Sequence, residues 1–559
     1  MNDYYVNIAK NIGQNDNELI SLSDKNFVER SIVKHIDHAS VLKIAETTNN
    51  VTMFNFKPVS ISQTVKNLSN LNVSKGAGYD GIAPKILKLA AENLAPYITS
   101  LINDMFQLSA FPEQLKKAEI CPLHKKGTTL DKANYRPVSI LTSTSKLFEK
   151  EIDNQLKTLS NNVFANSLSA YRTNHGTQHV LLQFTEAVKG FLDDKLCAGA
   201  VLTDLSKAFD CLPHDLIIAK LNAYNVSKDS LVLIASYLRG RKQRVKLSNK
   251  RSDWRFLYKG VPQGSIVGPA LFNFFINDLL FSSPEYEIAN YADDTTIFTS
   301  AKTNLLLSNK LRDATLSVIE WFNINNMQAN PAKFQFIIFG SGHDPPKLTI
   351  NDSIQIEPTE NVKLLGVTLD RKLDFSNHTA QICRKAAWQL SALRRIAHYL
   401  STEARLVIFR SYILSNLNYC KVIWHFGLKK SLNKLERLQE RGLRIVYNDF
   451  SSDYSTLLEK ANMKSLNDDR VFSIMVEVYK ARKGLSPAYI VNMFKSKDTG
   501  YNLKRSDQLI ISHKRTTKYG LKTFKHFGAS MWNNLPDSIK CSDNLMSFKS
   551  NLRVNSHES

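Results

Sequence analysis

The sequence predicts an α+β chain of several domains that ends in a basic, mainly helical region. As far as about residue 376, short apolar runs typical of buried strands alternate with segments whose apolar residues follow helical spacing. After His378 the spacing becomes helical. With 559 residues, 43% of them apolar, the chain has material for large packed cores, and its length favours roughly three or four units.

The charge of the chain is strongly positive and unevenly distributed. The formal net charge is +22, and residues 377–559 hold 31 of the 73 Lys and Arg but only 14 of the 51 Asp and Glu. The remaining residues are therefore close to neutral. This division favours a polyanionic partner bound mainly by the last third of the chain, although basic surfaces also arise for solubility alone.

The composition argues against several other classes of protein. The six cysteines are scattered without a C-x-x-C pair, so neither a disulfide framework nor a zinc module is indicated. The N-terminus lacks the features of a signal peptide, and no apolar run approaches the length of a membrane span. We therefore expect an intracellular protein, nuclear or cytoplasmic, that has no membrane partner.

The elements of the first half can be read in order. Residues 1–56 are polar and weakly periodic and indicate no chemistry. A helical pattern begins at Ile61, a glycine-rich turn covers residues 75–81, and Pro84 suits the first turn of the next helix. The pattern then predicts a strand at 119–123, a helix from Ser143, a buried strand at 198–204, a cationic strand at 239–247, two short strands at 287–291 and 295–298, and a further pair around 362–369.

Three carboxylates occupy positions that suit metal chemistry. Asp204 ends the predicted buried strand, and Asp293 and Asp294 lie together at the tip of a predicted hairpin. Phosphoryl transfer by two divalent ions requires carboxylates held close together, and Mg²⁺ prefers oxygen ligands. For an isolated Asp-Asp pair, however, simple turn chemistry is the more frequent explanation.

The surrounding motifs favour the catalytic interpretation. The blocks TDLSKAFD at 203–210, GVPQGSIVGP at 260–269 and YADD at 291–294 resemble, in this order and spacing, the reverse transcriptases, and more specifically those of non-LTR (LINE-type, jockey-like) retrotransposons. Further matches are ANYRPVSIL at 133–141, AYR at 170–172 followed by GT at 176–177, NPAK at 330–333, KLLGVTL at 363–369, and WNNLP at 532–536 followed by SFK at 547–549. Each motif is weak alone, but the ordered set is specific.

The resemblance implies a right-hand polymerase with fingers, a palm built on an antiparallel sheet, and a helical thumb. Asp204 and Asp293 would bind two Mg²⁺ ions, or Mn²⁺, with Asp294 as the supporting acid. Lys333 matches a lysine that protonates the pyrophosphate leaving group, although a lone lysine before a strand is as readily a solvated edge charge. Leu365 and Gly366 match the turn that grips the primer.

The same resemblance assigns residues to the incoming dNTP. Lys125 and Arg136 match the cations that bind the triphosphate, although the adjacent Lys126 competes with Lys125 for this role. Phe209 matches the aromatic gate that excludes a 2′-hydroxyl, and a core phenylalanine is the alternative. Residues 263–264, Gln263 and Gly264, match the segment that lines the nucleotide, with a plain turn as the alternative.

A cationic run at residues 239–246 has two explanations. Arg239, Arg241, Lys242 and Arg244 could neutralise phosphates of the template and primer, or they could protect an edge strand from pairing. Cys211 is expected to be a small buried residue, and His124, His175 and His214 are expected to be structural because none has a partner at metal-ligand spacing.

The predicted organisation is an unassigned segment at 1–56, fingers and palm at 57–376, a thumb at 377–448 and a basic region at 449–559. The expected activity is extension of a DNA primer on an RNA template with dNTPs, so RNA, DNA and their hybrid are the expected partners. Residues 1–56 are too few for the endonuclease that usually precedes such polymerases. The alternatives are a cellular or intron-type reverse transcriptase, a viral RNA polymerase, and an inactive or domesticated nucleic-acid-binding remnant.

Overall fold

The computed structural model describes residues 1–7, 22–281, 285–340, 347–496 and 508–558, which form two compact units. The first unit comprises 1–171, 204–281 and 317–330, and the second comprises 172–203, 282–316 and 331–559. Parts of the predicted N-terminal segment and basic region, residues 8–21 and 497–507, lie outside the described residues. Helices and sheets occur together, so the α+β prediction is confirmed.

The first unit is rich in helices whose starts match sequence signals. Ser60 accepts a hydrogen bond from the amide of Gln63 and caps the helix that begins at Ile61. Pro84 begins the next helix, and Thr142 caps the helix predicted from Ser143. Its helices are α1 (Asn2–Asn7), α2 (Asp24–Lys34), α3 (Ala39–Thr47), α4 (Ile61–Ser69), α5 (Pro84–Leu89), α6 (Ala91–Gln107), α7 (Ser143–Val163), α9 (His214–Ala223), α10 (Lys228–Leu238) and α11 (Val267–Ile276).

One sheet belongs to the first unit. Its strands are β1 (Lys117–His124), β2 (Tyr135–Ile140), β4 (Lys242–Leu247), β5 (Lys250–Arg251) and β6 (Arg255–Phe256). The order is β2-β1-β4-β5, and β6 also pairs with β4. Strands β1 and β2 are antiparallel, whereas β1 and β4 are parallel, with Glu119 beside Arg244.

The second unit is built around a four-stranded antiparallel sheet in the order β7-β8-β3-β9. Its strands are β3 (Cys197–Thr203), β7 (Glu287–Tyr291), β8 (Asp294–Ala301) and β9 (Gln335–Phe339). Strand β3 is central and almost wholly buried, as the uninterrupted apolar run predicts. Two hairpins follow, β10 (Leu348–Asn351) with β11 (Ile354–Ile356), and β12 (Asn361–Leu364) with β13 (Val367–Asp370).

Helices complete the second unit and share one hydrophobic core with its sheet. This core extends from Val180 through Ala200 and Phe298 to Leu552. The helices are α8 (Thr177–Asp193), α13 (Ser376–Ile396), α14 (Thr402–Ile408), α15 (Ser415–Asn418), α16 (Lys421–Trp424), α17 (Lys429–Tyr447), α18 (Tyr454–Lys460), α19 (Leu466–Arg482), α20 (Ala488–Val491), α21 (Phe524–Asn533), α22 (Asp537–Lys540) and α23 (Leu545–Glu558). Helix α12 (Asn304–Ile324) contributes its first part to the second unit and its last part to the first.

Of the helices in the described ranges, none has the length together with the apolar character needed to cross a membrane.

Candidate active site

The pair Asp293 and Asp294 lies at the tip of the β7–β8 hairpin, as the sequence predicts. Tyr291 pairs with Asp294, which leaves Ala292 and Asp293 as a two-residue turn. Ala292 has a φ of +57°, a region that residues with a Cβ rarely adopt. The buried amide of Asn290 donates to the Ala292 carbonyl at 2.9 Å and so holds this turn. Both carboxylates are exposed.

Asp204 directly follows β3, the strand beside β8. The last residue of β3, Thr203, is paired with Thr295, and its hydroxyl donates to the Thr295 carbonyl at 3.0 Å. The carbonyl of Asp204 accepts the amide of Asn330 at 2.9 Å, and the Asp204 side chain is partly buried. The carboxylate of Asp204 therefore lies directly after the end of the strand, as predicted.

The donor chemistry of these residues suits Mg²⁺, which prefers carboxylate oxygens and retains several waters. The exposed side chains of the β7–β8 turn leave room for such waters. Within the described ranges, no three His, Cys, Asp or Glu side chains are grouped closely enough to hold a metal ion. The carboxylates are thus of the right kind, but they do not form a closed metal cage.

The glycine segment, defined as residues 260–268, packs against the chain that follows Asp204. A Cβ on Gly260 would lie 2.5 Å from the Asp210 carbonyl oxygen, and a Cβ on Gly264 would lie 2.6 Å from that of Ser139. Both glycines have positive φ, so close approach and backbone conformation each require glycine. Buried His214 donates from Nε2 to the Gly260 carbonyl at 2.7 Å, which fits the structural role expected for it.

Phe209 and Gln263 lie on these two neighbouring backbones. The Val261 amide donates to the Phe209 carbonyl at 2.9 Å, and the partly buried Phe209 ring stacks on Phe272 with 4.4 Å between centroids. Gln263 Nε2 donates to Asp210 Oδ1 at 2.9 Å. Burial raises the pKa of Asp210 to about 6, against the lowering effects of Gln263 and Lys207.

Sequence reasoning missed a small cavity of about 40 Å³ beside Gln263, lined also by Asp210, Ser139 and Tyr5. Tyr5 comes from the N-terminal helix α1, and burial raises the pKa of its hydroxyl to about 12. Its neighbour Tyr4 accepts a hydrogen bond from Lys207 at 2.9 Å. A polar segment without clear periodicity gives no signal for such packing.

Lys125 and Arg136 lie near the loop end of the β1–β2 hairpin. Arg136 is paired with Leu123, and the Lys125 amide donates to the Asn134 carbonyl at 2.8 Å. Both side chains are exposed, and so is that of Lys126. They are therefore accessible to an anionic ligand, while the choice between the two lysines stays open.

The side chains of the cationic run are mostly engaged in contacts inside the first unit. They do not protect an edge strand, because β4 pairs with β1 and also with β5 and β6. Arg244 donates to the buried carboxylate of Glu119 through Nε at 3.0 Å and Nη2 at 2.6 Å. Arg239 binds Asp24, and the Lys242 ammonium lies 4.5 Å from the ring centroid of Phe256. Burial raises the pKa of Glu119, but the hydrogen bonds from Arg244 and Arg251 outweigh this effect and hold the pKa below its ordinary value.

Arg241 requires a correction. Its side chain is only 1% exposed, and Nη1 donates to the Tyr237 carbonyl at 3.0 Å. Its guanidinium lies 4.8 Å from the Tyr237 ring centroid. The prediction that Arg241 contacts template or primer phosphates is wrong, because this side chain, directly before β4, is buried.

The turn between β12 and β13 is formed by Leu365 and Gly366, both with positive φ. The Tyr419 hydroxyl donates to the Leu365 carbonyl at 2.8 Å, and a Cβ on Gly366 would lie 3.0 Å from the Tyr419 ring. Sequence reasoning missed Tyr419, since 54 residues separate it from Leu365. Lys333 is exposed and ends a short 3₁₀ turn before β9.

Comparison with known proteins agrees with the ordered motifs. Residues 123–369 match the family described as reverse transcriptase, an RNA-dependent DNA polymerase. The chain is 27% identical over 408 residues to the probable RNA-directed DNA polymerase from transposon BS of Drosophila melanogaster, a match covering 70% of this chain and 45% of that relative. It is 29% identical over 398 residues to the RNA-directed DNA polymerase from mobile element jockey of the same species, covering 68% and 43%.

A similar match, 28% over 405 residues, is found with the jockey polymerase of Drosophila funebris, covering 69% of this chain and 44% of that relative. The chain spans less than half the length of these relatives. Residues 123–369 thus form a reverse transcriptase domain. These matches confirm the resemblance to the reverse transcriptases of non-LTR retrotransposons that was drawn from the motifs of the chain.

Proposed function

We propose that the chain is an RNA-directed DNA polymerase that extends a primer 3′-hydroxyl with dNTPs and serves retrotransposon replication. The observation that carries this proposal is the register of β3 with β8. Thr203, which precedes Asp204, is paired with Thr295, which follows Asp294. Neighbouring strands thus carry carboxylates at the ends where a two-ion reaction would need them.

Each residue would act in a distinct part of the phosphoryl transfer. Two Mg²⁺ ions, or Mn²⁺, held by Asp204 and Asp293 with Asp294 in support, would supply Lewis-acid activation and charge stabilisation. Lys125 and Arg136 would bind the triphosphate, and Gln263 and Gly264 would line the nucleotide. The 3′-oxygen attacks the α-phosphorus and its proton passes to solvent water. The bond between the α-phosphorus and the oxygen that bridges to the β-phosphate breaks, and pyrophosphate leaves.

Selectivity and leaving-group protonation would come from two further side chains. Phe209, supported by its stack on Phe272, would exclude the 2′-hydroxyl of a ribonucleotide. Lys333 would donate a proton to pyrophosphate. Leu365 and Gly366 would hold the primer end, with Tyr419 fixing the turn.

We further infer a right-hand arrangement, with fingers and palm at 57–376, a thumb at 377–448 and a basic region at 449–559. Helix α13 supports the thumb assignment because Arg384, Lys385, Arg394 and Arg395 are exposed on it. Such cations bind the phosphates of an RNA–DNA hybrid without reading its sequence. The remaining cations of the run at 239–246, namely Arg239, Lys242 and Arg244, would contribute less because they have partners within the first unit.

The direct test is primer extension on poly(rA)/oligo(dT) with Mg²⁺, using the full chain. The variants are Asp293→Asn and, as a matched control, Asp352→Asn, which alters another exposed aspartate at a hairpin tip. We expect the wild type and Asp352→Asn to incorporate dTTP. Asp293→Asn should be at least about a hundredfold slower while binding the same primer–template.

Two results would contradict the proposal. Equal incorporation by wild type and Asp293→Asn would remove the metal assignment. Binding of poly(rA)/oligo(dT) by the wild type without incorporation would favour the alternative, a nucleic-acid-binding remnant without activity.

A further inference from the structure

The glycine segment leads directly into helix α11, and the start of this helix needs hydrogen-bond acceptors. The first amides of a helix have no partner within it. The residue at the N-cap position is Ile266, whose side chain cannot accept a hydrogen bond. Ser265 Oγ accepts the Gly268 amide at 3.0 Å, but the Ile266 amide needs another acceptor.

That acceptor is a carboxylate from a distant helix. Glu149 lies on α7 and is fully buried, and its Oε2 accepts the Ile266 amide at 2.6 Å. Backbone hydrogen bonds from Ile266 and Val267 both act on this carboxylate. Because 117 residues separate Glu149 from Ile266, the contact is tertiary and links α7 to the start of α11.

A buried carboxylate is costly unless charge and hydrogen bonds compensate. Burial raises the pKa of Glu149, while the charge of Arg241 and the amides of Ile266 and Val267 oppose this effect. Arg241 is itself buried. Arg241, which is too buried to contact a template, therefore acts electrostatically on the Glu149 carboxyl group.

The opposite side of the glycine segment is held by backbone. The Ser139 amide donates to the Gln263 carbonyl at 2.7 Å, and Gly264 packs against the Ser139 carbonyl. Gln263 and Gly264 thus lie between Ser139 on one side and the acceptor for Ile266 on the other. Without the acceptor for Ile266, the segment would be free to move while its hydrogen bond with Ser139 remains.

We propose that Glu149 is a positioning residue that fixes the nucleotide-lining turn at Gln263 and Gly264 by holding the start of α11. The proposal rests on the polymerase function inferred above, because it is through this turn that Glu149 would act on dNTP binding. It touches neither substrate nor metal in this role. A shift of the turn would displace the Gln263 amide, and small misplacements of binding groups have large kinetic effects.

The chain offers a matched control on the same helix. Glu151 is also buried, and its carboxylate accepts hydrogen bonds from Gln63 at 2.5 Å and from Asn67. Burial likewise raises its pKa. Glu151→Ala therefore removes a comparable buried carboxylate that has no contact with the glycine segment.

The test combines kinetics with amide hydrogen exchange on the full chain. For Glu149→Ala we expect the KM for dTTP to rise at least about tenfold with kcat within about threefold of wild type. Glu149→Gln, which keeps an acceptor oxygen, should recover most of this loss. Exchange of the Ile266 and Val267 amides should speed up in Glu149→Ala but not in Glu151→Ala.

If Glu149→Ala does not fold, Glu149→Asp replaces it in the test, because this variant keeps the carboxyl group but shortens the side chain by one methylene. An unchanged KM and unchanged exchange in the variant that folds would overturn the proposal, as would equal effects of Glu151→Ala. If the wild type does not extend primers, the proposed function fails. The exchange comparison would then still decide whether Glu149 holds the turn.

Discussion

At the residue scale, the site depends on short polar contacts that fix the side chains nearest the proposed chemistry. Asn290 holds the turn that carries Asp293, and Asp210 accepts a hydrogen bond from Gln263. Asp210 joins the two motif segments, since it follows Phe209 directly and reaches the glycine segment through Gln263. Its carboxyl group lies beside the small cavity, and burial accounts for its raised pKa.

This raised pKa predicts a pH-dependent contribution to stability. The pKa of Asp210 is about 6 in the folded chain against 3.8 as the ordinary value, so between these values the folded state holds a proton that the unfolded state lacks. The contribution is fully present below about pH 4 and is lost as the pH rises through 6. Relative to Asp210→Asn, the wild type should therefore lose on the order of 2 kcal/mol of unfolding free energy from pH 4 to 7.

Urea unfolding of both proteins at a series of pH values measures this difference. A difference between wild type and Asp210→Asn that stays constant from pH 4 to 7 would show that Asp210 titrates normally.

At the element scale, periodicity was sufficient to predict α13 but not the role of β4. The helical spacing predicts one apolar face with Ile382, Ala386, Leu390, Leu393 and Ile396, and it places Arg384 and Arg395 off that face. Ala386, Leu390 and Leu393 are buried and both arginines are exposed, but Ile396, at the end of the helix, is also exposed. The lysines and arginines of β4 look, in the sequence, as available for phosphate binding as those of α13. Their partners are distant along the chain, since Arg244 and Glu119 are 125 residues apart. A local pattern cannot indicate such a contact.

The same reasoning explains which parts of the site were predictable. Asp204, Asp293 and Asp294 lie at the ends of strands or directly beside them, and strand ends follow from local sequence. Glu149 and Tyr419 act on segments far from them in the chain, so only the folded structure reveals them. Arg241 was misassigned because it directly precedes β4, and the sequence pattern does not indicate that its side chain is buried.

The exposed cations of α13 should contribute measurably to nucleic-acid binding. Replacing Arg384 and Arg395 together by glutamine should weaken binding of an RNA–DNA hybrid and reduce the slope of log K against log salt by about one for each phosphate that is no longer neutralised. Lys310→Gln, which alters an exposed lysine on α12, is the control and should leave the slope unchanged. The comparison uses fluorescence anisotropy to measure binding from about 50 to about 300 mM salt, at about 50 mM steps. An equal slope for the double variant and the wild type would assign these cations to solubility.

At the scale of the whole chain, the positive charge and the hydrophobic core of the second unit overlap. The last third of the chain carries most of the excess charge, yet Trp424, Phe524 and Trp532 are buried in the same core as β3 and β8. Helix α8 is also tied to this region, since Glu186 accepts the amide of Phe524 at 2.7 Å. Deleting residues 377–559 would therefore expose that core, so charge is better tested by substitution than by truncation.

The central claim is that Asp204 and Asp293 hold the ions at which this chain makes DNA. The most direct measurement is the rate of dTTP addition to poly(rA)/oligo(dT) against Mg²⁺ concentration, for wild type and Asp204→Asn, with an EDTA arm. The account predicts a saturable dependence for wild type, no addition in EDTA, and a rate at least about a hundredfold lower for Asp204→Asn at saturating Mg²⁺. Addition that survives EDTA, or an Asp204→Asn variant as fast as wild type, would contradict it.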